Sequence, residues 1–133
     1  MGVTRGGVET CLMVKEFGVM FDVGMCPPGC MRYDTVLVSH GHTDHLGGVA
    51  YLAGQRSMLG MRPPTLHVPV EIEAPLHRVF DAWAEIERFR SPVEIVGHAP
   101  GSRVQLRKGH QAVCVRTTHR VPSLARTNAT DAM

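Results

Sequence analysis

The sequence predicts an α/β fold, and three observations carry that expectation: short apolar runs of strand length, one long segment with helical periodicity, and the interleaving of the two kinds along the chain. At 133 residues it reads as a single domain, residues 1–133, long enough to bury roughly two-thirds of its unfolded surface in a core.

Cys11 to Val14 and Val19 to Val23 are apolar runs separated by Lys15, Glu16, Phe17 and Gly18, which predicts a hairpin. A Pro/Gly-rich loop follows from Gly24 to Gly29. Thr35-Val36-Leu37-Val38-Ser39 is a continuous β-branched and apolar run, the pattern of a strand covered on both faces. Leu46 to about Gly54 reads as a short helix, Met58 to Thr65 as a loop around Pro63 and Pro64, and Leu66 to Val70 as a strand. Ile72, Leu76, Val79, Phe80, Trp83, Ile86 and Phe89 recur at helical spacing, with Glu71 and Glu73 at the start and Arg88 and Arg90 at the end, as the helix dipole favours. That apolar stripe, Trp83 included, is expected in the core. Val93 to Val96, Val104 to Leu106 and Ala112 to Thr117 complete the strands, the last running into Thr118-His119.

Composition narrows the function. Lys and Arg total 14 against 12 Asp and Glu, so the net charge is only +2, and no Lys/Arg run marks a nucleic-acid patch. The first residues hold no apolar stretch of signal-peptide length, and no run approaches the length of a membrane span. The expectation is a cytoplasmic protein with no membrane partner. In that setting the four cysteines are expected to be reduced, with Cys11 and Cys114 in the core. The C-x3-C spacing of Cys26 and Cys30 can clip a metal, but no second ligand pair accompanies it.

Chemistry concentrates directly after the buried strand, in His40-Gly41-His42-Thr43-Asp44-His45. Three imidazoles and a carboxylate in six residues offer the nitrogen and oxygen donors that zinc and similar divalent ions prefer, with Gly41 leaving room for the turn. Alternate positions let His40 and His42 converge while Asp44 and His45 turn toward a neighbouring site. Asp22, before Gly24, matches ordinary turn chemistry. His67, His77, His98 and His110 read as surface or packing residues.

The segment from Ser39 to Gly48 resembles the H-x-H-x-D-H motif of the metallo-β-lactamase superfamily. Thr10-Cys11, Phe21-Asp22-Val23-Gly24, Cys26-Pro27-Pro28 and Thr118-His119-Arg120-Val121-Pro122-Ser123 are further similar, in order and spacing, to segments of ribonuclease Z-like proteins. The likeness runs from about Gly7 to Ser123. It implies an αββα sandwich and a metal-dependent hydrolase cleaving phosphodiester bonds in the 3′ trailers of precursor tRNA, so RNA is the implied partner. It implies two zinc ions, one on His40, His42 and His119 and one on Asp44 and His45, with Asp44 also activating water, and it makes Asp22 equally a carboxylate orienting a ligand histidine and a turn residue. Other superfamily members act on esters, lactones or thioesters, and that alternative stays open.

The departures lie at the end of the chain. The family continues with a bridging Asp and a final ligand His, whereas only 14 residues follow His119, with no His and with Asp131 as their sole carboxylate. Leu124-Ala125-Arg126 replaces the family's Gly-Tyr. The expectation is therefore the first half of the four-layer sandwich, incomplete at the C-terminus, holding one zinc ion well and weak or inactive in catalysis. With the second sheet largely missing, one face of the strand Thr35 to Ser39 would lie bare, so a homodimer or other self-association is expected.

Overall fold

The structure, a computed structural model, describes residues 2–5, 9–116 and 124–130. Among them the chain forms a six-stranded sheet in the order β1 (Gly2–Arg5), β2 (Glu9–Val14), β3 (Val19–Phe21), β4 (Thr35–Leu37), β5 (Thr65–Pro69) and β6 (Glu94–His98). The first three strands are antiparallel neighbours, and β3 to β6 run parallel. Parallel pairing needs crossovers. Helices α1 (Thr43–Leu46) and α2 (Val49–Met58) supply one between β4 and β5, and α3 (Val70–Glu87) supplies the next, between β5 and β6. A second, antiparallel sheet holds β7 (Arg103–Gln105), β8 (His110–Arg116) and β9 (Leu124–Thr130) in that order.

Alternation along β4 explains the layering. Val36 and Val38 enter the large core with Met20, Leu52, Leu66, Val68, Leu76 and Phe80, which is the face covered by α2 and α3. Leu37 points the other way and packs with Phe21, Val104, Leu106 and Ala112. The second face is therefore covered by the β7–β8–β9 sheet. The described residues form three layers, helices, sheet and sheet, and the bare sheet face expected from the sequence does not exist here: Leu37 is 1% exposed.

The helical stripe needs a correction. Of its seven members, Leu76 and Phe80 are buried and Ile72 is half-buried, whereas Val79, Trp83, Ile86 and Phe89 are 43–69% exposed. Positions three and four apart trace an arc wider than one helix can press onto a sheet, so one edge of the stripe stays outside. Glu71 and Glu73 lie in the first turn of α3, where the dipole favours carboxylates, and Arg88 closes the helix in the left-handed conformation at φ 56°.

Element boundaries differ from the sequence reading by small shifts. Val70, expected in a strand, opens α3, and α2 extends to Met58. The strand β9, paired along β8 from Leu124 to Thr130, has no counterpart in the sequence reading, because its residues form no apolar run. Cys11 and Cys114 are buried as thiols, but Cys26 and Cys30 are joined by a disulfide. The turn between them, with Gly29 at φ 91°, brings their Cα atoms to 5.7 Å, a separation a disulfide spans. No helix of the described residues is long and apolar enough to cross a membrane.

Candidate metal centre

The histidine motif leaves the sheet at the carboxyl end of β4, where open α/β sheets commonly place their ligands. Two anchors fix it there. Asp22, at the end of β3, donates its backbone N–H to the Leu37 carbonyl at 2.9 Å, tying the neighbouring strand ends together. The next residue, Val23, donates to the His45 carbonyl and accepts from Gly48, both at 2.8 Å, which clamps α1 onto the loop after β3. That clamp requires glycine. A β-carbon at Gly48 would lie 3.1 Å from Met25 backbone atoms, and one at Gly47 would lie 2.6 Å from the Thr43 carbonyl oxygen. Gly41, by contrast, would meet only ordinary contacts near 3.7 Å from Ile72, so the turn does not need the space it leaves.

Asp22 holds the left-handed conformation at φ 62° and is 6% exposed. Asp22 is thus a turn residue, and the turn aims its carboxylate into the histidine motif. Oδ1 accepts from the Ser39 backbone N–H at 2.6 Å, and Oδ2 accepts from the Ser39 hydroxyl at 2.9 Å. His45 Nδ1 lies 2.9 Å from the same Oδ2, and His40 Nδ1 lies 3.0 Å from Ser39 Oγ.

Donor and acceptor count assigns the role of each Nδ1 in these contacts. A carboxylate only accepts, so His45 carries its proton on Nδ1. The Ser39 hydroxyl spends its one hydrogen on Asp22 and receives the His40 Nδ1 proton. Both rings are thus held through Nδ1 by the carboxylate and hydroxyl behind them, which directs Nε2 as the nitrogen turned toward the motif. Ser39 is the functional residue that sequence reasoning missed. Its only signal was a hydroxyl immediately before the first histidine.

Around this relay the four motif side chains gather. The His40 ring lies 4.0 Å from that of His45 and 4.9 Å, edge to face, from that of His42. His45 Nε2 and Asp44 Oδ2 are 3.3 Å apart. Two donor atoms each about 2.0–2.1 Å from one tetrahedral zinc ion stand about 3.3 Å apart, so this pair fits a shared ion. Among the described residues no group of three or more His, Cys, Asp or Glu side chains closes around one point. The structure thus brings together His40, His42, Asp44 and His45. His119 and Asp131 lie outside the described residues.

The remaining histidines stand elsewhere, as expected. His67 and His98 bond to each other across β5 and β6 at 2.8 Å, His110 packs on Phe17 at 4.6 Å, and His77 is exposed. A cavity of about 460 Å3 lies at the opposite ends of β4, β5 and β6, lined by Asp34, Arg62 and Glu94. There burial raises the Asp34 pKa, but the Arg62 hydrogen bond and charge outweigh it and hold the carboxyl below its ordinary value.

Comparison with known proteins decides the family. The beta-lactamase superfamily domain matches residues 26–133, most of the chain. Nuclear ribonuclease Z of Triticum aestivum is 30% identical over 92% of this chain and 69% of its own length. The chain belongs to the ribonuclease Z family of beta-lactamase-superfamily hydrolases. Two Arabidopsis thaliana proteins of this family, tRNase Z TRZ1 and the chloroplastic tRNase Z TRZ2, are 30% and 29% identical, and the chain spans 44% and 34% of their lengths. Among solved structures, the metallo-β-lactamase fold protein YhfI from Bacillus subtilis matches with a TM-score of 0.65 at 14% identity, over 90% of this chain and 49% of that one. The short form of human tRNase Z matches with 0.59 at 16% identity, over 98% and 56%. These two likenesses establish the fold, and with it the metallo-β-lactamase architecture that the motif implies.

Proposed function

We propose that this ribonuclease Z-family domain is a zinc-dependent phosphodiesterase acting in the cytoplasm on the 3′ trailers of precursor tRNA. The observation that carries the zinc reading is the Asp22–Ser39 relay, which engages Nδ1 of His40 and His45, together with the 3.3 Å between His45 Nε2 and Asp44 Oδ2. The RNA reading rests on the relatives named ribonuclease Z and tRNase Z.

In this reading His40 and His42 hold one ion together with His119, and Asp44 and His45 hold the second. Bound there, two divalent ions lower the pKa of a water and offset charge developing on the phosphate. The rest belongs to the chain. Asp22 fixes the His45 ring and its tautomer, Ser39 does the same for His40, and Asp44 accepts the proton of the attacking water. Hydrolysis adds that water's oxygen to phosphorus, and a ribose oxygen departs with a proton.

In this reading one zinc ion is bound more firmly than the other, because His40, His42 and His119 offer it three imidazoles while the second ion has only Asp44 and His45. Residues 1–133 are proposed as one domain. Self-association is proposed at the far end of α3, where Ile86 and Phe89 are 69% and 58% exposed, rather than at the sheet. Light scattering on the Ile86→Lys variant tests it: the variant should be monomeric where the unaltered chain is not.

The function is tested by assaying the zinc-loaded chain on precursor tRNA and on a panel of small esters, lactones and thioesters, beside Asp44→Asn. Slow cleavage of the tRNA trailer, abolished in Asp44→Asn, is the expected result, since the described residues do not complete a two-ion site. Asp44-dependent turnover of the small esters alone would move the assignment to another hydrolase of the superfamily.

A further inference from the structure

We propose that the pocket between α1, α2 and α3 is a nucleobase subsite, which holds one base of single-stranded RNA against Trp83 beside the metal motif. The inference rests on the RNA reading above and adds to it where a base is gripped. The cavity measures about 200 Å3, and its walls include Leu46, Val49, Leu76, Val79 and Trp83. Drug-sized ligands occupy roughly 300–1,000 Å3, so this space suits a single planar ring system.

Position argues for RNA over another apolar occupant. Gly41 and Thr43, the residues on either side of His42, are part of the lining, so the pocket adjoins the motif along the chain, although none of the four metal-donor side chains lines it. A chain whose phosphate sits at the histidines can place a base there. The lining includes no carboxylate to repel a polyanion. Trp83 is 43% exposed although it belongs to an apolar stripe, and a half-exposed indole is the platform on which single-stranded bases stack. With aliphatic walls, such a pocket grips a base through its face, whatever its identity.

Trp83 is also the single tryptophan of the chain, so tryptophan fluorescence reports on the surroundings of this one side chain. The experiment titrates the zinc-loaded chain with a short oligoadenylate and with an abasic oligomer of equal length and charge. Variants Trp83→Phe, Trp83→Ala and Ala50→Phe are bound in parallel, after melting curves establish that each folds. The oligoadenylate should quench Trp83, and the abasic oligomer should not. Trp83→Ala should bind the oligoadenylate about tenfold more weakly, in the range that one lost base stack costs, and Trp83→Phe should stay within a few-fold. Ala50→Phe, which fills the cavity from α2, should abolish quenching with Trp83 still present.

Oligoadenylate binding without quenching, undiminished in Trp83→Ala, would overturn the subsite and leave the RNA reading standing. Failure of both oligomers to bind would overturn the RNA reading and the subsite with it. Emission that ignores RNA but shifts with protein concentration would assign the pocket to a second copy of the chain and likewise overturn the proposal.

Discussion

Replacing Asp22 separates its role in stability from its role at the metal. Asp22→Ala removes the acceptor of three hydrogen bonds, from the Ser39 N–H, the Ser39 hydroxyl and His45 Nδ1. At about 1 kcal/mol each, with about 1 kcal/mol more for an alanine held at φ 62°, the expected loss is about 4 kcal/mol. Asp22→Asn is milder. Asparagine tolerates the left-handed backbone, and its carbonyl can still accept from the Ser39 N–H, so the expected loss is about 1–2 kcal/mol. Its amide nitrogen, however, now faces two other donors. His45 relieves that clash by moving its proton to Nε2, which removes the lone pair a metal needs. Zinc affinity should therefore fall about 10- to 100-fold in Asp22→Asn, as when other partners behind ligand histidines are lost. Urea unfolding followed by circular dichroism measures the stabilities, and competition with a chromophoric chelator measures the affinity. Asp22→Asn with unaltered zinc affinity would refute the relay, whatever its stability.

Two further perturbations test the frame around the site. Leu37→Ala, between the two sheets, should cost about 3 kcal/mol in urea unfolding, and a loss under about 1 kcal/mol would mean that β7–β8–β9 does not cover that face. At the opposite end of the sheet, Asp34 has its pKa lowered from 3.8, burial being outweighed by Arg62. A lowered folded-state pKa contributes stability that is present above the ordinary carboxylate value and lost as pH falls through the folded value, so this pair should stabilise the fold above about pH 4 and cease to do so in more acid solution, and only weakly, because Arg62 is mostly exposed. NMR titration should place the Asp34 midpoint below 3.8 and move it upward in Arg62→Ala; a midpoint unmoved by that substitution would contradict the pairing.

How far the sequence foretells this structure follows from what each residue's pattern can carry. The strand Thr35 to Ser39 and the motif after it are legible, because a solvated loop has no need of four metal-donor side chains set directly behind a continuous apolar run. The two anchoring glycines are visible as letters but not as a requirement, since the Met25 backbone that a β-carbon at Gly48 would meet at 3.1 Å is there only once the loop after β3 folds over α1. Gly41 draws attention for the opposite reason, sitting inside the motif where no close contact demands it. Ser39 stays hidden because a lone hydroxyl has no periodicity and no spacing rule; only the 2.9 and 3.0 Å contacts to Asp22 and His40 give it a role. Helical spacing identifies α3 but cannot say how much of its stripe touches the sheet. The cover on Leu37 is illegible because β7 is three residues long and β9 has no apolar run, so neither announces a second sheet.

The most direct test of the central claim, that the histidine motif and its relay form a metal centre, is the zinc content of the purified chain after exhaustive dialysis, measured by elemental analysis on the unaltered protein, His42→Ala and His77→Ala. His77 is exposed on α3 and serves as the control. The account predicts stoichiometric zinc in the unaltered chain and in His77→Ala, and loss of it in His42→Ala. Equal zinc in all three proteins, or none in the unaltered chain, would contradict it.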